Sequence, residues 1–574
     1  MDNCNQILTK LKMLYKNENI LYFPDRRIYL NYKTADEKSL LLSYYLVSLG
    51  LKKGDRIGLL LGNTPEYVLL SYAAARLGFV IVPIDIYATE ECVSKIISET
   101  DIRILFYESI HPKLSCKDFL SGSGHFLELI LIDLSEYFHP EEDHFEAERI
   151  WNKSYERDII DTTEIMMSKT SLEDVFCIIY TSGSTGEYKG IMRTLTSFSY
   201  MSDKKLSFYK RSYDMTSKLG KLESLNLFPF YHFAGYLTIT SFILGINTLR
   251  VNVLYYFHTE KAVNLILDKK IRLINGTPSM VSMIFDYMDH SKLLFRKSIG
   301  LLVAGAATDY EYVKKIMSHK KVFAMMSSYG STECGTIASR FVLKDKLGFT
   351  LRFLISFFRK LGYINELFKE EDFLKERGNL LGRVAKGVEV RIWDEDTGQY
   401  LTDGNPGEIC TRTIGIEQGH YMNAHSDQML YTEDGFMKTG DIGTLRDGVL
   451  YMIGRKKHII IRGGENISCL ELESTILKCP VVKEAAVCAV PDKIYGEEVY
   501  ACITTLHNEE NDILMLHHFL EERLSKIRLP KYYSIYQNLP MTGSGKLDYM
   551  FLKNNFQNIN NNYLRETNYE IVEV

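Results

Sequence analysis

Several features that would assign this chain to a class of protein are absent from its sequence. None of its 574 residues lies in an uncharged apolar run of about eighteen residues, the length of a membrane-spanning helix. Lys and Arg number 68 against 73 Asp and Glu, so no basic surplus exists for nucleic acid. None of the ten cysteines has C-x-x-C spacing, which argues against a disulfide framework or a cysteine-built metal site. No apolar segment follows Met1, and we expect a cytoplasmic protein.

What is present is typical of a folded protein with several units. Hydrophobic residues make up 46% and charged residues 25%, and the length exceeds what one core usually holds. Glu66 to Leu77 has a helical pattern, and Gly78 to Pro83 then has the pattern of a buried strand. This alternation predicts α/β layers. A change in composition near Arg455 and an asparagine-rich end predict units at 1–455 and 456–552 and a flexible tail at 553–574.

The most informative stretch is Tyr180-Thr-Ser-Gly-Ser-Thr-Gly-Glu-Tyr-Lys-Gly190, which follows the apolar run Val175 to Ile179. A buried strand that opens into such a loop presents N–H groups, hydroxyls and an ammonium to a phosphate. The ordinary P-loop pattern fails because Lys189 follows Tyr188 and precedes Gly190. A Ser- and Gly-rich surface loop is the alternative if the segment is taken alone.

Four further polar segments carry side chains suited to a nucleotide. In Ser327-Ser-Tyr-Gly-Ser-Thr-Glu-Cys-Gly335, the tyrosine is suited to stacking on a base, the threonine to donating to phosphate and the glutamate to holding Mg²⁺. Thr439-Gly-Asp441 offers a carboxylate to ribose hydroxyls, and Arg455 offers a guanidinium to oxygens. Gly543-Ser-Gly-Lys546 presents a lysine on a glycine turn. Each segment alone is also compatible with a solvated turn.

In this order the segments resemble the adenylate-forming superfamily of acyl-CoA synthetases, peptide-synthetase adenylation domains and beetle luciferases. Besides the phosphate loop, the matching motifs are Tyr329-Gly-Ser-Thr-Glu333, Thr439-Gly-Asp441, Gly454-Arg455, Arg462-Gly-Gly-Glu-Asn466 and Gly543-Ser-Gly-Lys546. The resemblance implies an α/β fold: a large N-terminal domain of two β/α subdomains plus a small β-barrel, and a small mobile α+β C-terminal lid. It implies that a carboxylate attacks the α-phosphate of ATP to give an acyl-adenylate and pyrophosphate. A thiol then displaces AMP.

The resemblance also implies roles for individual residues. Lys546 would bridge the substrate carboxylate and the α-phosphate, Thr332 would contact the α-phosphate, and Glu333 would hold Mg²⁺. Lys457 occupies the expected lid hinge. The residues expected to bind the nucleotide or the cofactor thiol are Thr181, Ser182, Gly183, Ser184, Thr185, Gly186, Lys189, Gly305, Ala306, Ala307, Tyr329, Gly330, Asp441, Arg455, Gly463 and Gly464.

The acyl substrate and the thiol acceptor are less sharply indicated. Phe228-Pro-Phe-Tyr-His232 resembles the segment that lines the acyl pocket, where amino-acid-activating members carry an aspartate. An apolar or aromatic acid, as in fatty acid or aryl acid metabolism, is therefore favoured, and His232 is either a gate or a packing residue. Arg462-Gly-Gly-Glu-Asn-Ile-Ser468 resembles the segment facing the pantetheine tunnel, which favours CoA. The alternative acceptor is a carrier-protein phosphopantetheine.

Two other questions stay open at the level of sequence. The basic, aromatic insert 344–362 is suited either to packing near the acyl tunnel, which is favoured, or to weak association with an anionic membrane. The second alternative for function is a noncatalytic nucleotide-binding member of the fold, and a luciferase-like oxygenase is a third. Retention of Glu333, Asp441, Arg455 and Lys546 favours a ligase.

Overall fold

The structure is a computed structural model. It describes residues 4–15, 20–109, 130–134, 155–182, 188–199, 223–245, 249–269, 271–295, 297–305, 308, 310–344, 368–369, 379–413, 431–456, 459–462, 465–492, 494–507, 509–541, 547–558 and 570–571. Within these ranges, no helix combines the length and the apolar character needed to span a membrane.

The strands, in chain order, are β1 (Leu21–Phe23), β2 (Ile28–Leu30), β3 (Arg56–Leu60), β4 (Val80–Pro83), β5 (Ile102–Tyr107), β6 (Ile130–Asp133), β7 (Val175–Ser182), β8 (Tyr188–Thr194), β9 (Glu223–Asn226), β10 (Arg250–Val253), β11 (Leu273–Gly276), β12 (Ile299–Ala304), β13 (Val322–Ser331), β14 (Gly335–Leu343), β15 (Phe368–Lys369), β16 (Asn379–Val384), β17 (Val388–Asp394), β18 (Gln399–Tyr400), β19 (Gly407–Thr413), β20 (Met437–Arg446), β21 (Val449–Arg455), β22 (Ile459–Arg462), β23 (Glu465–Ser468), β24 (Val482–Asp492), β25 (Gly496–Thr505), β26 (Tyr532–Ile535) and β27 (Glu570–Ile571). The helices are α1 (Cys4–Tyr15), α2 (Tyr32–Ser48), α3 (Pro65–Leu77), α4 (Glu90–Thr100), α5 (Arg157–Ser168), α6 (Leu195–Ser199), α7 (Phe233–Ile243), α8 (Thr259–Lys269), α9 (Pro278–His290), α10 (Tyr310–Ser318), α11 (Cys469–Ile476), α12 (Glu510–Glu521) and α13 (Tyr549–Asn558), with a 3₁₀ turn at Lys526–Arg528.

The first sheet has six strands in the order β6-β5-β3-β4-β7-β8. All its pairs are parallel except β7 with β8, which are antiparallel. The predicted helix and strand at Glu66 to Pro83 are confirmed as α3 and β4. Thr64 caps the start of α3 by accepting from the Tyr67 N–H, and Gly78 ends it in the left-handed conformation.

The long sheet has fifteen strands and changes character along its length. From β10 through β9, β11 and β12 to β13 the neighbours are parallel, and from β13 through β14, β16, β21, β20, β19 and β17 to β18 they are antiparallel. The antiparallel half occupies the region where the resemblance implies a small barrel. The largest core cluster contains residues of both sheets, including Ile57 and Phe176 of the first and Val251 of the long sheet.

A third sheet of six strands forms the C-terminal part, in the order β23-β22-β25-β26-β27 with β24 paired to β25. Buried apolar clusters on this sheet include Ile460, Val487 and Ile503 with α11 and α12, and Tyr500 and Phe556 with α13. The tail predicted to be flexible includes the end of α13, and β27 lies parallel to β26. The domain boundaries remain predictions.

Candidate active site

The topology brings polar segments to the carboxyl ends of adjacent parallel strands. In the long sheet, β9 leads into Phe228 to His232, β12 ends just before Gly305, and β13 ends beside the Thr332–Glu333 turn. In the first sheet, β4 leads into Asp85, and β7 contains Thr181. Carboxyl ends of parallel strands lie at one edge, which is where open α/β sheets usually bind ligands.

Tyr329, Asp441 and Arg455 form one polar cluster. Asp441 and Arg455 are paired residues of β20 and β21, and the Tyr329 hydroxyl donates to Asp441 Oδ2 at 2.6 Å. Arg455 Nε lies 3.1 Å from Asp441 Oδ1, with side-chain exposures of 60% for the arginine and 7% for the aspartate. Burial raises the pKa of Asp441, although Arg455 and Tyr329 favour its carboxylate. The cluster presents a buried acceptor and an exposed cation, as recognition of ribose hydroxyls and nearby oxygens requires.

The turn that carries Asp441 is fixed by β19. Gly440 has φ +72°, and its N–H donates to Glu408 Oε1 at 3.0 Å. The Thr439 hydroxyl donates to the Ile409 carbonyl at 2.8 Å and accepts from the Asp441 N–H. Lys456 Nζ lies 3.6 Å from the other oxygen of Glu408. Glu408 therefore contacts both the turn that carries Asp441 and Lys456, the residue that follows Arg455.

Thr332 and Glu333 lie in the tight connection between β13 and β14. Both residues are half-buried, and the Cys334 N–H donates to the Ser331 hydroxyl at 3.2 Å. A Cβ at Gly330 would lie 1.9 Å from the Gly335 carbonyl oxygen, so only glycine fits there. Arg193, which the sequence arguments did not single out, contacts the carbonyl oxygens of Thr332 and Glu333.

The structure describes the two strands, β7 and β8, that form the base of the phosphate loop. Thr181 and Lys189 are opposite each other in the β7–β8 pair, with Tyr180 opposite Gly190. The Tyr180 ring packs where a Cβ of Gly190 would be, and its hydroxyl donates to Glu99 Oε2 at 3.0 Å. Only the backbone of Ser182 is described. The strands thus hold Thr181 and Lys189 together at the mouth of the loop.

Of the predicted binding residues Gly305, Ala306 and Ala307, the structure describes Gly305, which has φ +87°. Arg340, another residue that the sequence arguments missed, binds the carbonyl and hydroxyl oxygens of Thr308. It also donates to the Ser327 hydroxyl at 2.6 Å and to the Leu380 carbonyl at 2.7 Å. This buried guanidinium ties the end of the segment to β13.

The segment Phe228 to His232, which resembles the lining of the acyl pocket, differs in one respect from that expectation. Asn63 accepts from the Phe230 N–H at 2.7 Å and positions the segment, but the Phe230 ring packs in the core against Phe23 and Tyr67. The aromatic rings expected to line a slot are thus largely buried, whereas His232 and Phe233 are half-buried.

A carboxyl group also lies close to His232. Its Nε2 is 3.9 Å from Asp85 Oδ2. Burial raises the pKa of Asp85 from 3.8 to about 6, although hydrogen bonds from the Tyr87 N–H and the Tyr231 hydroxyl favour its carboxylate. Asp85 approaches this segment from the other sheet, where it lies two residues after the end of β4.

Several predicted site residues lie outside the described residues. They are Gly183, Ser184, Thr185, Gly186, Ala306, Ala307, Lys457, Gly463, Gly464 and Lys546, and of the insert 344–362 only Lys344 is described. Their roles stay predictions.

The donor set fits magnesium that arrives with ATP. In the part of the chain that the structure describes, no group of three or more His, Cys, Asp or Glu side chains is arranged to hold a metal. Mg²⁺ in nucleotide sites is usually held by one or two carboxylates together with phosphates and water. The half-buried Glu333, next to Thr332, offers such a carboxylate.

Comparisons with known proteins cover nearly the whole chain. Residues 14–421 match the family described as AMP-binding enzyme, and residues 471–546 match the AMP-binding enzyme C-terminal domain. The medium-chain acyl-CoA ligase ACSF2, mitochondrial, of Rattus norvegicus is 26% identical over 549 residues, covering 93% of this chain and 84% of its own. The putative acyl-CoA synthetase YngI of Bacillus subtilis (strain 168) is 22% identical over 563 residues, covering 94% and 95%.

Solved structures show the same fold. ATP-bound MatB from Rhodopseudomonas palustris superposes with a TM-score of 0.71 at 19% identity, covering 97% of this chain and 100% of that chain. The o-succinylbenzoate CoA synthetase MenE from Bacillus subtilis, with its acyl-adenylate intermediate, gives 0.70 at 20% identity, covering 96% and 97%. The predicted α/β fold with a large N-terminal and a small C-terminal part is confirmed.

Proposed function

We propose that this chain, which belongs to the AMP-binding enzyme family, is an ATP-dependent acid–thiol ligase of the acyl-CoA synthetase type. The observation that carries the proposal is the Tyr329–Asp441–Arg455 cluster, in which Tyr329 lies on β13 only three residues before Thr332 of the Thr332–Glu333 turn. This arrangement offers separate groups for a nucleoside and for its phosphates. The names of the curated relatives, which are acyl-CoA ligases and synthetases, support the same reaction class.

In the first step, a substrate carboxylate oxygen bonds to the α-phosphorus of ATP, and the bond from that phosphorus to the bridging oxygen breaks. Acyl-adenylate and pyrophosphate result. Both reactants are anions, so catalysis rests on positioning and on neutralising charge. Bound magnesium would neutralise phosphate charge, with Glu333 as its protein ligand. In the second step, a thiol sulfur bonds to the acyl carbon and AMP leaves.

Different residues of the chain bind different parts of the substrates. Asp441 and Arg455 hold the ribose, Tyr329 and the segment from Gly305 hold the base, and Thr332 faces the α-phosphate. The phosphate loop, from Thr181 to Lys189, holds the β- and γ-phosphates. Lys546, on the C-terminal part, supplies the cation between carboxylate and α-phosphate.

The acyl group is proposed to be apolar or aromatic. Support comes from the half-buried Phe233 beside His232 and from the medium-chain ligases among the relatives. Asp85 adds one acidic group close to His232, and its raised pKa favours the neutral form below about pH 6. CoA is the proposed acceptor, with a carrier-protein phosphopantetheine as the alternative. The insert 344–362 stays assigned to the acyl tunnel, with weak membrane association as its alternative.

A substrate screen tests the proposal. Pyrophosphate release and hydroxamate formation are measured across aliphatic, aryl and α-amino acids, with and without CoA. We expect release with apolar acids and acyl-CoA formation when CoA is present. Activity only with α-amino acids would contradict the acyl assignment. Tight ATP binding without pyrophosphate release from any acid would instead favour a noncatalytic nucleotide binder.

A further inference from the structure

We infer that Arg193 is a positioning residue that links the acyl side of the candidate site to the Thr332–Glu333 turn. The inference rests on the proposed function and extends it to a residue outside the motifs. Arg193 lies on β8, three residues after Gly190 of the phosphate loop, and is only 1% exposed. It therefore belongs to the first sheet, whereas the turn that it contacts belongs to the long sheet.

The guanidinium of Arg193 contacts three backbone carbonyls. Nη1 donates to the Thr332 and Glu333 oxygens, both at 3.4 Å, and Nη2 donates to the Ser197 oxygen at 3.0 Å. A buried guanidinium is costly unless its N–H groups have partners, so the local backbone must keep these oxygens aimed at it. The two contacts with the turn, at 3.4 Å, are longer than the usual range of about 2.7–3.2 Å for an N–H···O hydrogen bond, whereas the contact with Ser197 falls within it.

Two aromatic rings connect the same guanidinium to the acyl side. The Arg193 Cζ atom lies 5.2 Å from the ring centroids of both Phe198 and Phe233, and the two rings stack at 5.7 Å. Phe233 is the first residue of α7 and directly follows His232. A shift of this helix start would move the stacked ring and, through the guanidinium, the two carbonyls of the turn.

This arrangement requires arginine and not merely a cation. The planar fork donates to carbonyls in two directions while its face stacks on rings, whereas a lysine ammonium would keep the charge without that shape. The backbone carbonyl of Glu333 is one of the bonded groups, so the position of the proposed magnesium carboxylate depends on Arg193. Replacing a residue that supports a metal ligand typically costs about 10- to 100-fold in metal affinity.

The experiment measures how much Mg²⁺ tightens ATP binding. Calorimetry gives the Kd of ATP with EDTA and with saturating Mg²⁺ for the full chain, and the ratio of the two values is compared among variants. We expect Arg193→Met to reduce this ratio about 10-fold and Arg193→Lys to reduce it less. The matched control is Arg76→Met, because Arg76 is equally a buried arginine, bound to Asp36 and Ser39 between α2 and α3.

Two results separate the possible failures. If Arg193→Met and Arg76→Met lower the melting temperature but neither alters the ratio, Arg193 is structural and the inference is wrong. If the wild-type chain binds no ATP under either condition, the proposed function itself fails, and the positioning role with it. Should Arg193→Met not fold, Arg193→Lys decides: an unchanged ratio in this folded variant contradicts the inference.

Discussion

Asp441 has an environment unlike that of an ordinary surface carboxylate. It is almost fully buried, accepts from the Tyr329 hydroxyl, and faces the mostly exposed Arg455 across the β20–β21 pair. Burial raises its pKa, while the two partners favour the charged form. A carboxylate held in this way keeps a fixed direction, which is what the selective binding of two neighbouring hydroxyls requires.

Asp441→Asn should weaken ATP binding while preserving the fold. The amide keeps an acceptor for Tyr329 but removes the charge opposite Arg455, and hydrogen bonds to charged groups contribute about 1.5–3 kcal/mol. We expect the Kd of ATP to rise about 10-fold or more, and Tyr329→Phe to give a smaller rise. Calorimetry measures both, with the exposed Asp434→Asn as control. Equal Kd values for Asp441→Asn and wild type would refute the nucleotide assignment.

Asp85 should make stability depend on pH in an identifiable direction. Its folded pKa of about 6 exceeds the ordinary 3.8, so the folded state binds this proton more tightly than the unfolded state does. The stability that results is fully present below about pH 4 and is lost as the pH rises through about 6. Asp85→Asn removes that loss. The melting temperature of the variant relative to wild type should therefore increase between pH 4 and pH 7. A constant difference would show that Asp85 titrates normally.

Asp492 provides the opposite case in the same chain. Hydrogen bonds from the Tyr495 and Ile494 N–H groups, and from Lys531, lower its pKa from 3.8 to about 2. The contribution of this carboxylate to folding stability is present above the ordinary pKa and disappears as the pH falls towards 2. Asp492→Asn should thus be destabilising at both pH 5 and pH 7, with little change between them, and serves as the control for Asp85→Asn.

At the level of elements, the β13–β14 hairpin determines where Thr332 and Glu333 lie. The strands pair up to Ser331 and Gly335, and the backbone passes so close at Gly330 that no side chain fits. The strand after Val322 is predictable from its apolar run. The close approach of the two backbones at Gly330 is not predictable from the sequence, because it depends on how β14 pairs with β13.

Gly330→Ala should displace this hairpin. Its Cβ would collide with backbone, so we expect a loss of about 1–3 kcal/mol in the free energy of unfolding and weaker ATP binding. Urea unfolding and calorimetry measure the two effects. Gly300→Ala, on β12, is the matched control, because the atoms nearest to its Cβ would be side-chain atoms, of the Phe323 ring at 3.3 Å and of Leu273 at 3.5 Å, and not backbone. Similar losses of ATP affinity in both variants would contradict the specific role of the hairpin.

At the level of the whole molecule, the proposed reaction needs both parts of the chain. The two family matches, 14–421 and 471–546, lie on either side of the predicted boundary near Arg455. Contact between the parts includes a hydrogen bond of 2.6 Å from the Ser468 hydroxyl to the Ile453 carbonyl. Lys546 is the last residue of the second match, whereas Lys457, the predicted hinge, lies between the two matches.

Two substitutions should separate the half-reactions. Lys546→Ala should lower acyl-adenylate formation about 10²–10³-fold and leave thiolation of a preformed adenylate. Lys457→Pro should do the reverse, because proline fixes φ at the hinge and prevents reorientation of the lid. Pyrophosphate exchange and single-turnover thiolation measure the steps, and each variant is the control for the other. Equal loss of both steps in Lys546→Ala would contradict its assigned role.

The sequence by itself determined the family and the α/β class, and it predicted which residues would carry chemistry, because phosphate loops, turns and caps depend on neighbouring residues along the chain. The tertiary structure alone decided which of these residues meet. The Tyr329 hydroxyl donates a hydrogen bond to Asp441, Arg193 contacts the Thr332–Glu333 turn, and Asp85 lies close to His232. Each pair joins distant segments through strand order, register or the contact between two sheets, and these depend on packing of the whole core rather than on any local pattern.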